Sequence, residues 1–225
     1  MHNIINNFEN QVETWKRENP LLQKILEELA VDYGYTVENA VVFNKNLRKL
    51  SKSNPKYIVV ADNPGVDEQK NKNSCYLIGK SGQMTRNFFL KNNLVSDFDE
   101  EVAVLNKSCI HTKKTGDLKK LKQFKELLDE TQLFMANLVA DIQTLSGCSI
   151  WIIGCSELKE KGIFETYLNQ LKKRCEKEKK LKENLFFYPH FSYGNFQKRL
   201  NSVMSEHPGL TLKKCLKIAD LKLVD

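Results

Sequence analysis

The sequence predicts an α/β protein in which helices cover both sides of a parallel sheet. Four short and almost continuously apolar runs are rich in β-branched and aromatic residues, which is typical of strands buried on both faces. Between these runs lie stretches with apolar residues at helical spacing, so strands and helices alternate. The 225 residues suffice for one such domain with a sizeable core, and nothing in the composition requires a second domain.

The four predicted strands are Tyr57–Ala61, Val102–Leu105, Ile150–Ile153 and Leu185–Tyr188. Because a strand–helix–strand unit crosses over with a right hand, the alternation favours parallel strands.

Helices are predicted before, between and after these strands. Two of them precede the first strand and form an N-terminal extension, residues 1–53, packed on the domain; Pro20 suits the first turn of the second helix. The full predicted set is Ile4–Arg17, Pro20–Tyr33, Ser81–Lys91, Asp117–Thr144, Glu157–Lys182, Gly194–Glu206 and Thr211–Leu221.

Composition and charge restrict the class of protein. The N-terminus lacks a basic region followed by an apolar run, and no apolar run approaches the ~20 residues that span a bilayer, so we expect a cytoplasmic protein without a membrane partner. The net charge of +7 fits a polyanionic partner, or lysines that serve solubility. The six cysteines include no C-x-x-C pair, so we expect free thiols.

In sheets of this kind, ligands bind beyond the carboxyl ends of the strands. The first strand ends at Asp62 and Asn63, which a tight turn at Pro64-Gly65 holds in place, with a positive φ open to Gly65. Asn106 follows the second strand, and its amide offers a donor and an acceptor that match the edge of uracil or another base. The alternative is an asparagine that satisfies loop backbone.

His190 follows the fourth strand on the same rim, where a catalytic role competes with a structural one. The other three histidines, His111 among them, are assigned no role. Gly154 ends the third strand and brings no chemical group, although a glycine there lets a neighbour approach closely. The segment Cys75–Gly82 is a glycine-flanked turn that opens a helix, which fits a phosphate site or a plain turn with Ser81 as N-cap.

Together these strand ends resemble the uracil-DNA glycosylase superfamily over about residues 57–199. The loop Ala61-Asp62-Asn63-Pro64-Gly65 is similar to the family's G-Q-D-P-Y, G-x-N-P-G and G-E-A-P-G loops, and His190-Phe191-Ser192 to its H-P-S. Asn106 matches the base-reading asparagine. The segment Leu77–Gly82 is similar to the F-V-G-R-[AS]-G segment of the thermophile-type branch.

The resemblance implies a three-layer α/β/α sandwich with strand order 2-1-3-4. It also implies hydrolysis of the N-glycosidic bond of uracil, or another deaminated base, flipped out of DNA. His190 would stabilise the departing base, Asp62 would act as the electrostatic or basic group and Asn63 would orient water, with Glu68 as a secondary candidate. Loop carboxylates that face solvent are the alternative for Asp62 and Glu68. The expected base pocket is formed by Asn106, Tyr76, Leu77, Gly65 and Pro64.

Three positions depart from the family pattern: Ala61 replaces a glycine, Leu77 a stacking phenylalanine and Phe191 a proline. Tyr76 is the expected substitute for the stacking ring. Phe191 and Tyr193 are expected to act as wedges that hold the duplex open. The expected DNA contacts are Lys80, Ser81, Gly82, Lys107, Lys113, Lys114, Phe191, Ser192, Tyr193, Lys198 and Arg199.

Cys109 matches one ligand position of the thermophile-type iron–sulfur cluster, but the partner cysteines are missing. We therefore expect no cluster, no other metal and no cofactor, in a monomer whose partner is DNA. Two alternatives stay open. One is a superfamily member that binds nucleic acid or a free base without cleaving it, and the other is an α/β enzyme that acts on a small phosphorylated ligand.

Overall fold

The computed structural model describes residues 1–52 and 54–224, and for Ser51, Lys52 and Tyr193 it describes the backbone alone. The central sheet has four parallel strands in the order β2-β1-β3-β4, so the predicted α/β class and strand order are confirmed. The strands are β1 Tyr57–Ala61, β2 Val102–Asn106, β3 Ser149–Ile153 and β4 Leu185–Tyr188, within one residue of the predicted bounds.

Helices begin and end close to the predicted bounds at most positions. Their bounds are α1 His2–Glu18, α2 Pro20–Val31, α3 Lys80–Lys91, α4 Phe98–Glu101, α5 Lys125–Ser146, α6 Glu165–Lys177, α7 Lys179–Glu183, α8 Asn195–Glu206 and α9 Leu212–Ala219. Within the described residues, no helix is both long and apolar enough to cross a membrane.

Two predicted helices are shorter than expected. The helix predicted from Asp117 begins only at Lys125, because the Asp117 carboxylate engages the backbone of Lys114 and the hydroxyl of Tyr33 in 3₁₀ turns over residues 115–124. The helix predicted from Glu157 begins at Glu165 and breaks after Lys177.

Residues 157–164 form a tight turn ahead of α6. A β-carbon on Gly162 would lie 2.3 Å from the Glu157 carbonyl oxygen, so the turn closes only on glycine. This close return of the chain explains why the helical pattern that starts at Glu157 does not become a helix there.

One continuous core spans both faces of the sheet. On one face, Trp151 of β3 packs against Phe89 of α3 at 4.7 Å between ring centroids and against Tyr188 of β4 at 4.8 Å. On the other face, α5 contacts β2, β3 and α6. The N-terminal helix α1 packs on α5, where the Trp15 ring contacts Phe134 and its indole N–H donates to Glu130.

Candidate functional site

The loop after β1 is fastened to the loop after β2 through its backbone. The N–H groups of Lys107 and Ser108 donate to the Asp62 carbonyl at 3.0 and 3.3 Å, and the Thr112 N–H donates to the Pro64 carbonyl at 3.3 Å. Adjacent parallel strands end at the same edge, which makes this pairing possible. The polar residues that follow β1 and β2 therefore lie side by side.

Asp62 forms a buried ion pair with Lys107. The Lys107 Nζ lies 2.5 Å from Oδ1 of Asp62, and the lysine side chain is 0% exposed. The same ammonium donates to the carbonyls of Ile153 at 2.8 Å and Gly154 at 2.9 Å, at the end of β3. Lys107 was predicted to contact DNA phosphates, and that prediction is wrong here because its ammonium is enclosed and fully paired.

Gly154 lies between Asp62 and His190. Its φ is +80°, and a β-carbon there would lie 3.0 Å from Oδ1 of Asp62 and 3.1 Å from Cδ2 of His190. An L-residue at this φ is strained, and its side chain would collide with both groups. The close approach expected of a glycine at the end of β3 therefore brings the carboxylate and the imidazole together.

The hydrogen bonds of His190 indicate which of its ring nitrogens carries the proton. The backbone N–H of Ser192 donates to Nδ1 at 3.2 Å, and the Ser192 hydroxyl lies 2.6 Å from the same atom. A backbone N–H only donates, so Nδ1 accepts, and the proton of the neutral ring is assigned to Nε2. Burial lowers the pKa of His190 below 6.5, opposed by the Asp62 charge and reinforced by Lys107. Nε2–H is thus a neutral donor at the rim, with the Ser81 hydroxyl at 3.5 Å.

Asn106 carries a buried amide without a partner. It is the last residue of β2, in register with Ala61 of β1, and it is 1% exposed. Within residues 1–52 and 54–224, neither Nδ2 nor Oδ1 has a hydrogen-bond partner. Leaving such groups unpaired destabilises the folded state, and most buried amides are paired. The alternative prediction, that the Asn106 amide forms hydrogen bonds with loop backbone, therefore does not apply.

Asn63 and Glu68 are both engaged in holding loops. The Asn63 Nδ2 donates to the Thr112 hydroxyl at 2.9 Å. The Glu68 carboxylate accepts from the N–H groups of Gly65 and Ile78, each at 3.0 Å, and burial raises its pKa. Glu68 therefore ties the first loop to the segment ahead of α3, which is a structural role rather than the predicted catalytic one.

The segment ahead of α3 differs from its prediction in three respects. Tyr76 is buried, and its hydroxyl donates to the Val42 carbonyl, so its ring belongs to the core. In the first loop, Gly65 does not have the positive φ that was predicted for it. In the segment ahead of α3, Leu77 has a positive φ of +55°. The N-cap of α3 is Gly79, which leaves the Ser81 hydroxyl facing His190.

Gly82 allows the first turn of α3 to lie directly on Leu77. A β-carbon on Gly82 would lie 1.5 Å from the Leu77 carbonyl oxygen. Gly82 is buried by this contact, so its predicted exposure to DNA is wrong, while Pro64 presents its carbonyl to the loop after β2.

Other predicted DNA contacts divide into two groups. Phe191 is 3% exposed and stacks on Phe196 at 4.1 Å, so it is a core residue and not a wedge. The half-buried Arg199 guanidinium donates to the carbonyls of Ala219 and Asp220 at the end of α9, which occupies the group that was predicted to bind phosphate. The side chain of Tyr193 lies outside the described residues. The second group consists of predicted contacts that are exposed, namely Lys80, Lys113, Lys114 and Lys198. The Ser192 hydroxyl is hydrogen-bonded to His190.

His111 has a structural role that sequence reasoning did not find. Its Nδ1 contacts the Pro64 carbonyl at 2.9 Å and its Nε2 the Tyr35 hydroxyl at 3.0 Å. Burial lowers its pKa to about 4. The N-terminal extension thus reaches the first loop through Tyr35, a link that no local pattern marks.

Side-chain and backbone contacts join the loops after all four strands. Asp62, Lys107, Gly154 and His190 form one chain of neighbours, and Asn106 lies at the same end of β2. Comparison of the chain with protein-family models, with curated proteins and with solved structures gives no match.

Proposed function

We propose that this protein is a DNA glycosylase that hydrolyses the N-glycosidic bond of uracil, or of another deaminated base, in DNA. The observation that carries the proposal is the buried Asn106 amide, whose donor and acceptor both lack a partner among the residues that the structure describes. A flipped uracil offers a complementary carbonyl and N–H on one edge, and it would satisfy both atoms. Such an amide discriminates strongly against bases with the wrong edge.

Hydrolysis breaks the bond between C1′ of the deoxyribose and N1 of uracil, a water oxygen bonds to C1′, and the proton that this water loses passes by way of the Asp62 carboxylate to the departing base. The sugar gains positive charge and the base leaves with the bonding electron pair. The Asp62 carboxylate, 20% exposed and set beside His190, supplies negative charge near the sugar and an acceptor for the water. The products are the free base and an abasic site.

His190 supplies the donor for the departing base. Its neutral ring carries the proton on Nε2, as the Ser192 N–H on Nδ1 requires. A neutral N–H donor stabilises a developing oxyanion without protonating it. The Ser81 hydroxyl oxygen lies 3.5 Å from Nε2 of His190. An oxygen of the departing base can replace this long contact.

A single-turnover assay on uracil-containing single- and double-stranded DNA tests the proposal. Wild-type protein should produce abasic sites, and Asp62→Ala and His190→Ala should each lower the rate at least ~100-fold, in line with loss of an acid–base or oxyanion group. Asp67→Asn is the matched control, because Asp67 lies in the same loop with an exposed side chain paired to Lys70. Its rate should equal that of the wild type.

A second function, binding of nucleic acid or a free base without cleavage, is favoured by one observation. Lys107 compensates the charge of Asp62, which weakens this carboxylate as a base, and the side-chain amide of Asn63, predicted to orient water, donates to Thr112 instead. Absence of cleavage on uracil, hypoxanthine and xanthine substrates, with salt-dependent DNA binding retained, would replace the glycosylase by this function. Loss of salt-dependent binding as well would favour an enzyme acting on a small phosphorylated ligand.

A further inference from the structure

We propose that Lys107 is a positioning residue that fixes the Asp62 carboxylate through Oδ1 and leaves Oδ2 as the oxygen that faces the water. The inference rests on the proposed function for its catalytic consequence. Its structural content, a lysine that clamps the carboxylate to the end of β3, is independent of that function.

The three acceptors around Lys107 match the three protons of an ammonium group. They are Oδ1 of Asp62 at 2.5 Å, the Ile153 carbonyl at 2.8 Å and the Gly154 carbonyl at 2.9 Å. The Nζ also lies 5.3 Å from the centre of the Phe164 ring, which supports a positive charge. An ammonium group with all three protons donated offers no lone pair to act as a nucleophile, and it has no proton left to donate to a phosphate.

The clamp treats the two carboxylate oxygens differently. Oδ1 accepts the short charge-assisted bond from Lys107, whereas among the described residues Oδ2 has only the Thr115 hydroxyl as a partner, at the long distance of 3.4 Å. Both carboxylate oxygens and His190 lie where a β-carbon on Gly154 would come within 3.0–3.4 Å of them, so the glycine leaves the carboxylate room to stand beside the imidazole. Oδ2 is therefore the oxygen left for an incoming water, at a fixed distance from the imidazole.

The decisive variant is Lys107→Met, compared by single-turnover rate and by equilibrium binding at several salt concentrations. A positioning residue predicts a rate at least ~100-fold lower, with the dissociation constant for uracil-containing DNA within twofold of wild type and an unchanged salt slope. A phosphate contact predicts weaker binding and a slope smaller by about 1, and that result overturns the proposal. Lys113→Ala, at an exposed lysine on the rim, provides the reference for this second pattern.

Borohydride trapping tests whether Lys107 acts as a nucleophile that attacks C1′. Reduction during turnover should give no covalent protein–DNA product in the wild type. A trapped product that disappears in Lys107→Met means that the amine attacks C1′, and the proposal is then wrong.

Loss of rate through unfolding is separated by a second variant and a structure. Thr115→Val removes the weak partner of Oδ2 without exposing a buried charge, and it should change the rate less than fivefold. In crystals of Lys107→Met and Lys107→Arg, the Asp62 carboxylate should turn away from Gly154 in the methionine variant alone. An unmoved carboxylate in Lys107→Met overturns the clamp, whereas absence of cleavage by the wild type with a moved carboxylate contradicts only the proposed function.

Discussion

Gly154 lies so close to Asp62 that a β-carbon on the glycine would stand 3.0 Å from Oδ1 of the carboxylate. The same β-carbon would contact His190, and the backbone has a φ of +80°. The glycine thus sets the separation of the two groups that we assign to the chemistry. A side chain at this position requires the carboxylate and the imidazole to shift by a few tenths of an ångström.

Gly154→Ala should lower both stability and the glycosylase rate. The left-handed backbone alone costs an L-residue about 1–2 kcal/mol, so urea unfolding should show a loss of stability of this size. Displacement of the carboxylate should reduce the single-turnover rate at least ~10-fold. Gly147→Ala is the matched control, because Gly147 has φ +68° after α5 with open space around it. It should lose similar stability and keep the rate; equal losses of rate in both variants would contradict the role of Gly154.

Asn106→Leu should raise stability while it removes activity. Leucine has the same number and branching of side-chain heavy atoms as asparagine and ends the burial of two unpaired polar atoms, so the free energy of unfolding should rise by about 1–3 kcal/mol. Cleavage and binding of uracil-containing DNA should be lost.

Asn44→Leu is the comparison for this prediction. Asn44 is equally buried, but its amide donates to the Val104 carbonyl of β2 at 2.8 Å and accepts from the Asn46 N–H. Its replacement should destabilise the protein by about 1–3 kcal/mol, because it leaves buried partners unpaired. Destabilisation of the same size in Asn106→Leu would indicate that the Asn106 amide is paired in solution.

Acid should destabilise the protein through His111. The pKa of this histidine is lowered by burial from 6.5 to about 4, so the folded state binds its proton later than the unfolded state as the pH falls. The stability from the neutral ring is complete above pH 6.5 and is lost progressively towards pH 4, by about 3 kcal/mol. Urea unfolding from pH 7.5 to 4.5 should show this slope, and His111→Gln should flatten it. An equally steep slope in the variant would assign the effect elsewhere.

Phe191→Ala should act on stability and not directly on DNA binding. The ring is buried and stacks on Phe196, so its removal should lower the free energy of unfolding by about 3–5 kcal/mol. Phe191→Leu should recover most of this loss. If the leucine variant is as stable as the wild type but opens duplex DNA less well, measured with a fluorescent base analogue, then the wedge role holds after all.

Much of the fold was predictable because its determinants are local. The continuous apolar runs at Tyr57–Ala61 and Leu185–Tyr188 give strands with the predicted bounds, and their alternation with helices gives the parallel sheet. Parallel strands also bring their carboxyl ends to one edge, so Asp62, Asn106 and His190 were predictable as neighbours of that edge from strand position alone.

The partners of those residues depend on contacts between distant parts of the chain. Lys107 reads as a surface lysine, but its ammonium reaches carbonyls 46 and 47 residues further on. Arg199 is similarly taken up by the end of α9, and His111 by Pro64 and Tyr35. Residue type gives the same prediction for a buried and an exposed lysine, because burial is set by the packing around it.

The sequence by itself therefore determined the sheet, its direction and the edge at which polar side chains collect, since hydrophobic periodicity and strand ends are read along the chain. Only the tertiary structure decided which charges are paired, which amide is left without a partner and which aromatic ring is buried. Those outcomes follow from the burial of each group against residues far away in the chain, and for Asp62 the deciding neighbours are Lys107 and Gly154.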